Sequence, residues 1–292
     1  MESSRCKAFL ASADLGSFTR AAEALNYTPS GVSQLVSALE KELGFSLFTR
    51  YKKGVVLTKA GEKIIPSIRS YIQQEERVFQ TAADILGLSI GQITIASYPS
   101  MSARWLPHVI HAFQEDYPNI QIRLMEGIRQ EIMQWLDDSS ADIGFLSWME
   151  DLPFDWIPLA KDRMIAVLPK THPLAKSEVY PLERCTEENF IMPANGRDDD
   201  VVQLFEQNHI ELNITFTTME NPSAISLIEN GLGMSVMNEG STFNWDSDVV
   251  KLPLDPPAEL SLGMAIPSME HASPAVRKFV EYAKRILTEE DN

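Results

Sequence analysis

Cysteine is nearly absent from this chain: there are two in 292 residues, Cys6 and Cys185, far apart. Two distant thiols supply neither a disulfide framework nor the paired spacing of a structural metal site. Long apolar runs are missing as well. The longest stretches, such as residues 164–169, are strand-sized, well short of the roughly 18–20 apolar residues that a membrane span needs. The opening residues (MESSRCK) lead into an amphipathic segment without an apolar signal core or cleavage site, so a cytoplasmic protein is expected. No Gly-Lys-Ser/Thr phosphate loop, Gly-x-Ser-x-Gly elbow or repeated cysteine spacing occurs. No nucleophile, base or metal set stands out, so no enzymatic activity and no cofactor are expected. What is there is 44% hydrophobic and 23% charged, with the length of about two ordinary domains. Membrane, secreted, fibrous and disordered classes are excluded.

Positive charge is scarce overall but unevenly placed. The chain carries −16, which taken alone argues against a nucleic-acid partner. Residues 1–60 hold eight basic side chains against five acidic ones, a net of +3, which leaves −19 on the rest. A mildly basic head on a strongly acidic body suits a DNA reader joined to a domain that repels DNA. The excess is small, and a random fluctuation produces it too.

Between Ser17 and Ala38 the sequence reads as two short helices joined tightly. Ser17 can cap the first, whose apolar positions are Ala21, Ala22 and Leu25 and which Asn26-Tyr27 ends. Thr28-Pro29 reads as a cap followed by proline at the first helical position, where its missing N–H costs nothing. Val32, Leu35, Val36 and Leu39 form one apolar stripe, and Ser30, Ser33, Gln34, Ser37 and Lys41 fall on the opposite face. That face is small and polar, fitted to a major groove about 12 Å wide. The alternative is an ordinary solvated face, which usually carries more Glu and Lys. Beyond an apolar anchor at residues 44–48, Tyr51-Lys52-Lys53-Gly54 is a turn with adjacent cations and residues 54–58 are strand-like. A basic hairpin beside such a helix is a wing, whose Arg50, Lys52 and Lys53 would meet phosphates rather than bases.

These residues resemble the LysR-type transcriptional regulators. The resemblance rests on residues 16–25 (GSFTRAAEAL), Val32-Ser33, residues 39–44 (LEKELG), 47–50 (LFTR) and 57–61 (LTKAG), spread over about 45 positions. It implies a sequence-specific DNA-binding activator or repressor of double-stranded DNA with a small-molecule-sensing C-terminal domain. Thr28, Pro29, Ser30, Ser33, Gln34 and Ser37 are then the reading residues. Two positions depart from the family's habit of Gln-Pro-Ala or Gln-Ser-Ala at the helix entry and Arg soon after Val-Ser. Here they read Pro29-Ser30-Gly31 and Gln34. Gly31 costs a helix up to about 1 kcal/mol relative to Ala, and an amide at residue 34 is better suited to adenine than to guanine.

From Thr58 to Leu86 a connecting helix is expected. Ile64, Ile68, Tyr71, Glu75, Val78, Ala82 and Ile85 alternate steps of four and three, a heptad seam broken only by Glu75. A symmetric partner helix would cover it, giving a homodimer that presents two heads to a near-palindromic site. The alternative is that the helix packs on its own head. Pro66 should remove one hydrogen bond and bend it, and Gly87–Gly91 is expected to be a hinge. In the resembled family the working particle is often a tetramer, and RNA polymerase is a further partner.

After residue 91 strands and helices alternate. Strands are expected at 93–96, 120–124, 143–146, 164–168, 190–192, 214–217, 234–237 and 260–266. Helices are expected at 102–116, 129–137, 200–208, 223–230 and 273–287, with a proline-containing crossover at 151–158. Such alternation argues an α/β body with mainly parallel sheets. The fold class is therefore an α+β winged helix-turn-helix head (1–58), a linker or dimerisation helix (59–88) and an α/β effector domain. The resemblance divides that domain into two subdomains like those of type 2 periplasmic binding proteins, one at 91–162 plus 267–292 and one at 163–266. A ligand belongs in the cleft, near strand carboxyl ends and helix amino ends. Ser97, Ser100, Met101 and Ser102 lead from strand to helix with hydroxyls and free N–H groups, either a cradle for an anion or simple capping. Across the cleft Asn195, Thr217 and Thr218 are expected, with Trp148 as an apolar wall.

Other constellations are discounted. His108 and His111 sit on an outer helix face without ligands at metal spacing. Gly231-Leu-Gly233 reads as a helix stop. Asp198–Asp200 reads as a solvated acidic turn, with Arg197 neutralised locally. Lone Cys185 disfavours peroxide sensing, which would want two cysteines in the body. The rival from another class is a cytoplasmic small-molecule-binding protein whose N-terminal domain serves assembly rather than DNA reading.

Overall fold

The computed structural model describes residues 1–51, 54–86, 90–243 and 245–289. They fall into two compact units, Met1–Gly91 with Gln134–Ala141, and Gln92–Met133 with Asp142–Asn292. Lys52, Lys53 and most of the expected hinge lie outside the described residues.

The first unit begins with three helices, α1 (Ser3–Leu15), α2 (Phe18–Leu25) and α3 (Pro29–Leu43). An antiparallel hairpin, β1 (Phe48–Tyr51) and β2 (Gly54–Leu57), and the long α4 (Lys59–Ile85) follow. Both expected caps form, Ser17 accepting from the Arg20 N–H and Thr28 from Gly31, and Thr58 caps α4 by accepting from Gly61. Gly31 therefore stands in the first turn of α3, where its N–H serves the cap at 3.1 Å, and not in the helix interior. Phe9, Ala21, Ala22, Val32, Val36, Leu39 and Leu47 build the core. The wing is tied down by the Val55 N–H on the Gly16 carbonyl at 3.0 Å. Gly54 makes that approach possible: its φ is +148°, and a Cβ there would lie 2.4 Å from the Gly16 oxygen.

The connecting helix runs unbroken through Pro66, but its apolar stripe is divided. Ile68 and Ile72 are buried in the head core, with Ile64, Ile65 and Tyr71 packed against it. Glu75, the break in the heptad, accepts hydrogen bonds or charge from Ser3 at 2.5 Å and Lys7 at 3.2 Å. Only the distal part leaves its apolar residues uncovered within the chain, with Val78, Phe79, Ile85 and Leu86 at 66, 69, 79 and 74% exposure. The seam expected along the whole helix is thus satisfied by the head over its first half.

After α4 the chain carries β3 (Gly91–Ser97), α5 (Pro99–Arg104), α6 (Leu106–Asp116), β4 (Ile120–Glu126), α7 (Arg129–Asp137) and β5 (Ile143–Ser147). Then come the 15-residue β6 (Asp155–Pro169), β7 (Tyr180–Pro181), β8 (Phe190–Met192), α8 (Asp199–Gln207), β9 (Ile214–Thr217) and α9 (Asn221–Glu229). β10 (Ser235–Asn238), β11 (Val249–Asp255), β12 (Glu259–Ile266) and α10 (Pro274–Glu289) close the chain. The helix expected over 102–116 is two, broken at Trp105, with Pro107 in the first turn of α6.

The main sheet runs β4-β3-β5-β12-β6-β11-β7, with β10 also on β6, and it is mixed rather than mainly parallel. β3 pairs with β5 in parallel, but β12 is antiparallel to both β5 and β6, and β10 and β11 are antiparallel to β6. The reason lies in the two crossovers. β6 carries the chain out of one half and β12 brings it back alongside, and a return strand beside its outgoing partner runs antiparallel. Separate cores result. One packs Ile93, Phe113, Phe145 and Met264 against Phe279 of α10. Another packs Met164, Leu168, Phe190, Val201 and Phe205. The body is therefore two α/β halves joined by the β6–β12 ladder. Among the described residues no helix is long and apolar enough to cross a membrane.

Candidate functional site

In the head, Val32, Val36 and Leu39 turn inward, leaving Thr28, Pro29, Ser30, Gln34 and Ser37 exposed and Ser33 half-buried on the outer face of α3. Arg50, on β1, lies along this face. Its Nη1 donates to Ser33 Oγ at 3.1 Å and its Nη2 to Ser37 Oγ at 2.9 Å. Its guanidinium also stands 5.2 Å from the centre of the Phe18 ring, a cation–π contact. Glu40 lies 3.8 Å from the same guanidinium, and its other oxygen receives the Leu47 and Phe48 N–H groups at 2.7 and 3.2 Å. The wing is thereby registered against the helix by one glutamate and one arginine, each on a position that carried the family resemblance.

In the body, a cavity of about 80 Å³ is lined by Tyr98, Ser100 and Arg129 on one side and by Asp198, Asp200 and Glu220 on the other. Three of its lining residues, Tyr98, Arg129 and Asp200, belong with Ser147 to a buried polar cluster. Arg129, the first residue of α7, and Asp200, in the first turn of α8, are 8 and 9% exposed and form an ion pair. Arg129 Nε donates to Tyr98 Oη at 3.1 Å, and Tyr98 Oη is 3.1 Å from Ser147 Oγ. Ser147 Oγ lies 2.9 and 2.7 Å from the two Asp200 oxygens and also contacts Arg129 Nη2. Burial pushes the Asp200 carboxyl up, opposed by the Arg129 guanidinium. Burial works against the Arg129 charge, but Tyr98 and Asp200 more than offset it, so the guanidinium stays protonated. Asp198 caps α8 through its carboxylate, which accepts from Asp200 N at 3.0 Å and Val201 N at 3.2 Å. Burial, with Asp200 beside it, pushes Asp198 up to about 6.

Of the eight residues expected at the ligand, Ser100 lines this cavity. Ser97 is buried and donates to the Tyr98 carbonyl at 2.9 Å. Met101 is buried, and Ser102 is buried with a hydroxyl that has no hydrogen-bond partner among the described residues. Trp148 is half exposed just beyond β5. Asn195 and Thr217 are exposed, with Thr217 packed close to Gly196, and the Thr218 hydroxyl donates to the Glu220 carbonyl. The expectation of a solvated Asp198–Asp200 turn is corrected: Asp200 is buried in an ion pair and Asp198 is a cap, and only Asp199 pairs outward, with Arg197 at 3.2 Å. Tyr98, Arg129, Ser147 and Asp200 escaped the sequence reading. One signal was present: a lone arginine at a helix N-terminus opposes the helix dipole, which marks it as held there for another reason.

A helix-turn-helix head with a registered wing, joined to a two-halved α/β body around a polar cavity, defines a DNA-binding regulator with a ligand-sensing domain. Residues 4–62 match the family of bacterial regulatory helix-turn-helix proteins, lysR family, and residues 87–288 match the LysR substrate binding domain. The chain is 34% identical over 290 residues to the HTH-type transcriptional regulator YvbU of Bacillus subtilis (strain 168), covering 98% of this chain and 99% of that one. Among solved structures it is similar to HinK, a LysR family transcriptional regulator from Pseudomonas aeruginosa, at 25% identity and a TM-score of 0.60, covering 99% of both chains. It shares its fold with full-length CbnR in complex with target DNA, at 21% identity and a TM-score of 0.66, covering 98 and 99% of the two chains. The chain belongs to the LysR family of transcriptional regulators. The rival in which the head serves only assembly gives way to this match.

Proposed function

We propose that the outer face of α3 reads double-stranded DNA through Thr28, Pro29, Ser30, Ser33, Gln34 and Ser37, with Arg50, Lys52 and Lys53 on the phosphates. The observation that carries the proposal is Arg50, a cation aligned along a helix face otherwise made of small polar groups. Phosphate contacts of this kind set register, and base edges are left to the short side chains. The exposed distal part of α4, around Val78, Phe79 and Ile85, pairs with the same segment of a second copy, so that two heads meet one site. Higher assembly to a tetramer, contact with RNA polymerase and a cytoplasmic setting accompany this function. The domain limits remain 1–58, 59–88, 91–162 with 267–292, and 163–266. The body's cavity, rather than the wider cleft surface, holds the small-molecule effector, with Tyr98, Ser100 and Arg129 on one side and Asp200 on the other.

The test is binding of the full chain to its own upstream DNA and to scrambled DNA across a salt series. Sequence-selective, salt-sensitive binding is expected, with log affinity falling by about 0.9 per log salt for each phosphate neutralised. Absence of preference at every salt, on upstream DNA and on DNA selected from a random pool, contradicts it.

A further inference from the structure

The buried cluster at the cavity has a direction. Arg129 Nε donates to Tyr98 Oη, which leaves the phenol O–H free to donate to Ser147 Oγ, 3.1 Å away. The Ser147 O–H is left to donate to the Asp200 carboxylate at 2.7 Å. Arg129 Nη2 points at the same carboxylate. These donors converge on one end, where the guanidinium charge favours an anion over a neutral acceptor. Tyr98 follows β3, Ser147 ends β5 and Arg129 opens α7, so one half of the body supplies the whole receptor. Asp200, on α8, comes from the other half. A carboxylate site is therefore complete without Asp200, and the chain's own side chain fills it.

Asp200 is an imperfect occupant. It is removed from water at 9% exposure and placed beside a second carboxylate, that of Asp198. The peptide chain holds it there. A tethered group competes at the effective concentration that its tether sets, on the order of millimolar for short links. Arg129 and Asp200 both line the cavity, so a molecule bound in it lies against the pair.

We propose that Tyr98, Arg129 and Ser147 form a carboxylate-binding subsite, that the effector presents a carboxylate to it, and that Asp200 is a built-in competitor which that carboxylate displaces. The inference rests on reading this cavity as the effector site. Exchange breaks the Ser147 and Arg129 contacts to Asp200 and remakes them to the ligand, with no change in net hydrogen bonds at the receptor. Asp200 then moves off, which loosens the link between the two halves of the body, and this is how occupancy reaches beyond the cavity. Asp200 also sets a threshold, because a ligand must outcompete it before anything moves.

The experiment is chemical rescue in the full chain. Asp200→Ala removes the resident carboxylate, and acetate is the probe, with chloride at matched ionic strength as the reference. The expected result is a lowered melting temperature for Asp200→Ala that acetate restores saturably and chloride does not. Wild type should show no saturable response, and adding Arg129→Met to Asp200→Ala should abolish the rescue. Should Asp200→Ala fail to fold, Asp200→Asn keeps the volume, and labelled acetate followed by NMR line broadening should bind it at least tenfold more tightly than wild type. Acetate that acts no differently from chloride on either variant overturns the subsite. Rescue of stability with no effect of acetate on the variant's DNA binding would leave the subsite standing and contradict the reading of the cavity as an effector site.

Discussion

Arg50 occupies the meeting point of wing and reading helix, and two of its four contacts are to hydroxyls that would otherwise face DNA. If it also neutralises a phosphate, Arg50→Ala should make the plot of log affinity against log salt shallower by about 0.9. An unchanged slope would show that the residue only braces the wing. Arg50→Lys should keep the slope and lose selectivity, since an ammonium cannot bridge Ser33 and Ser37 with a fixed fork. In the body, Asp198 gives a second test. Its carboxyl, about 6 in the folded state against an ordinary 3.8, holds a proton that the unfolded chain gives up across that interval. Stability from this group is therefore present below the interval and lost as pH rises through about 6. Asp198→Asn keeps a good helix cap and should flatten the melting temperature between about pH 4 and 6 and raise it at pH 7. Melting that falls on this substitution at pH 7 would show that the ionised cap is worth more than its burial costs. These residues mark how far the sequence could be read. Ser33, Ser37 and Arg50 lay within one local pattern, whereas Tyr98, Arg129, Ser147 and Asp200 stand singly on separate elements, and no spacing links them. Three acids in a row at 198–200 resemble a solvated turn in any sequence, and only the fold brings the third against an arginine.

At the scale of elements, α4 shows how one stripe can serve two surfaces. Ile68 and Ile72 complete the head core, so Ile68→Ala should cost about 2–5 kcal/mol, read as an earlier unfolding of the head. Phe79→Glu, on the exposed stretch, should leave that unfolding in place and shift the chain from dimer to monomer in sedimentation. A dimer that survives Phe79→Glu would move the interface elsewhere. The heptad made the helix legible but hid its division, because a period records a shared face and not what covers it. The strands show a similar limit. β6 begins at Asp155, inside the segment expected as a crossover, because Pro158 argued against a strand. The ladder tolerates that proline at an irregularity: register shifts between Leu262 and Gly263, and Gly263 stands opposite Pro158. Gly263 is needed there, since a Cβ would come 2.3 Å from the Ile157 carbonyl oxygen. β11 went unforeseen for a related reason, with Pro253 within its run.

For the whole molecule, the division of charge is the broadest feature: +3 on the first 60 residues against −19 on the rest. Such a chain meets DNA with its head and is repelled elsewhere, so its affinity should depend on salt through a few local contacts. Two α/β halves joined by a single long ladder, with an ion pair between them, give the body a geometry that a ligand can alter. Alternation of strands and helices made the α/β class legible, while sheet direction depended on the two crossovers, whose geometry no local pattern encodes. The most direct measurement is binding of wild type and Ser33→Glu to DNA selected by the wild-type chain, with scrambled DNA as reference and melting curves alongside. The expected result is selective binding by wild type, and loss of that selectivity in Ser33→Glu with the head still folded. A Ser33→Glu protein that holds the selected DNA as tightly as wild type would contradict the assignment of this helix face as the reader.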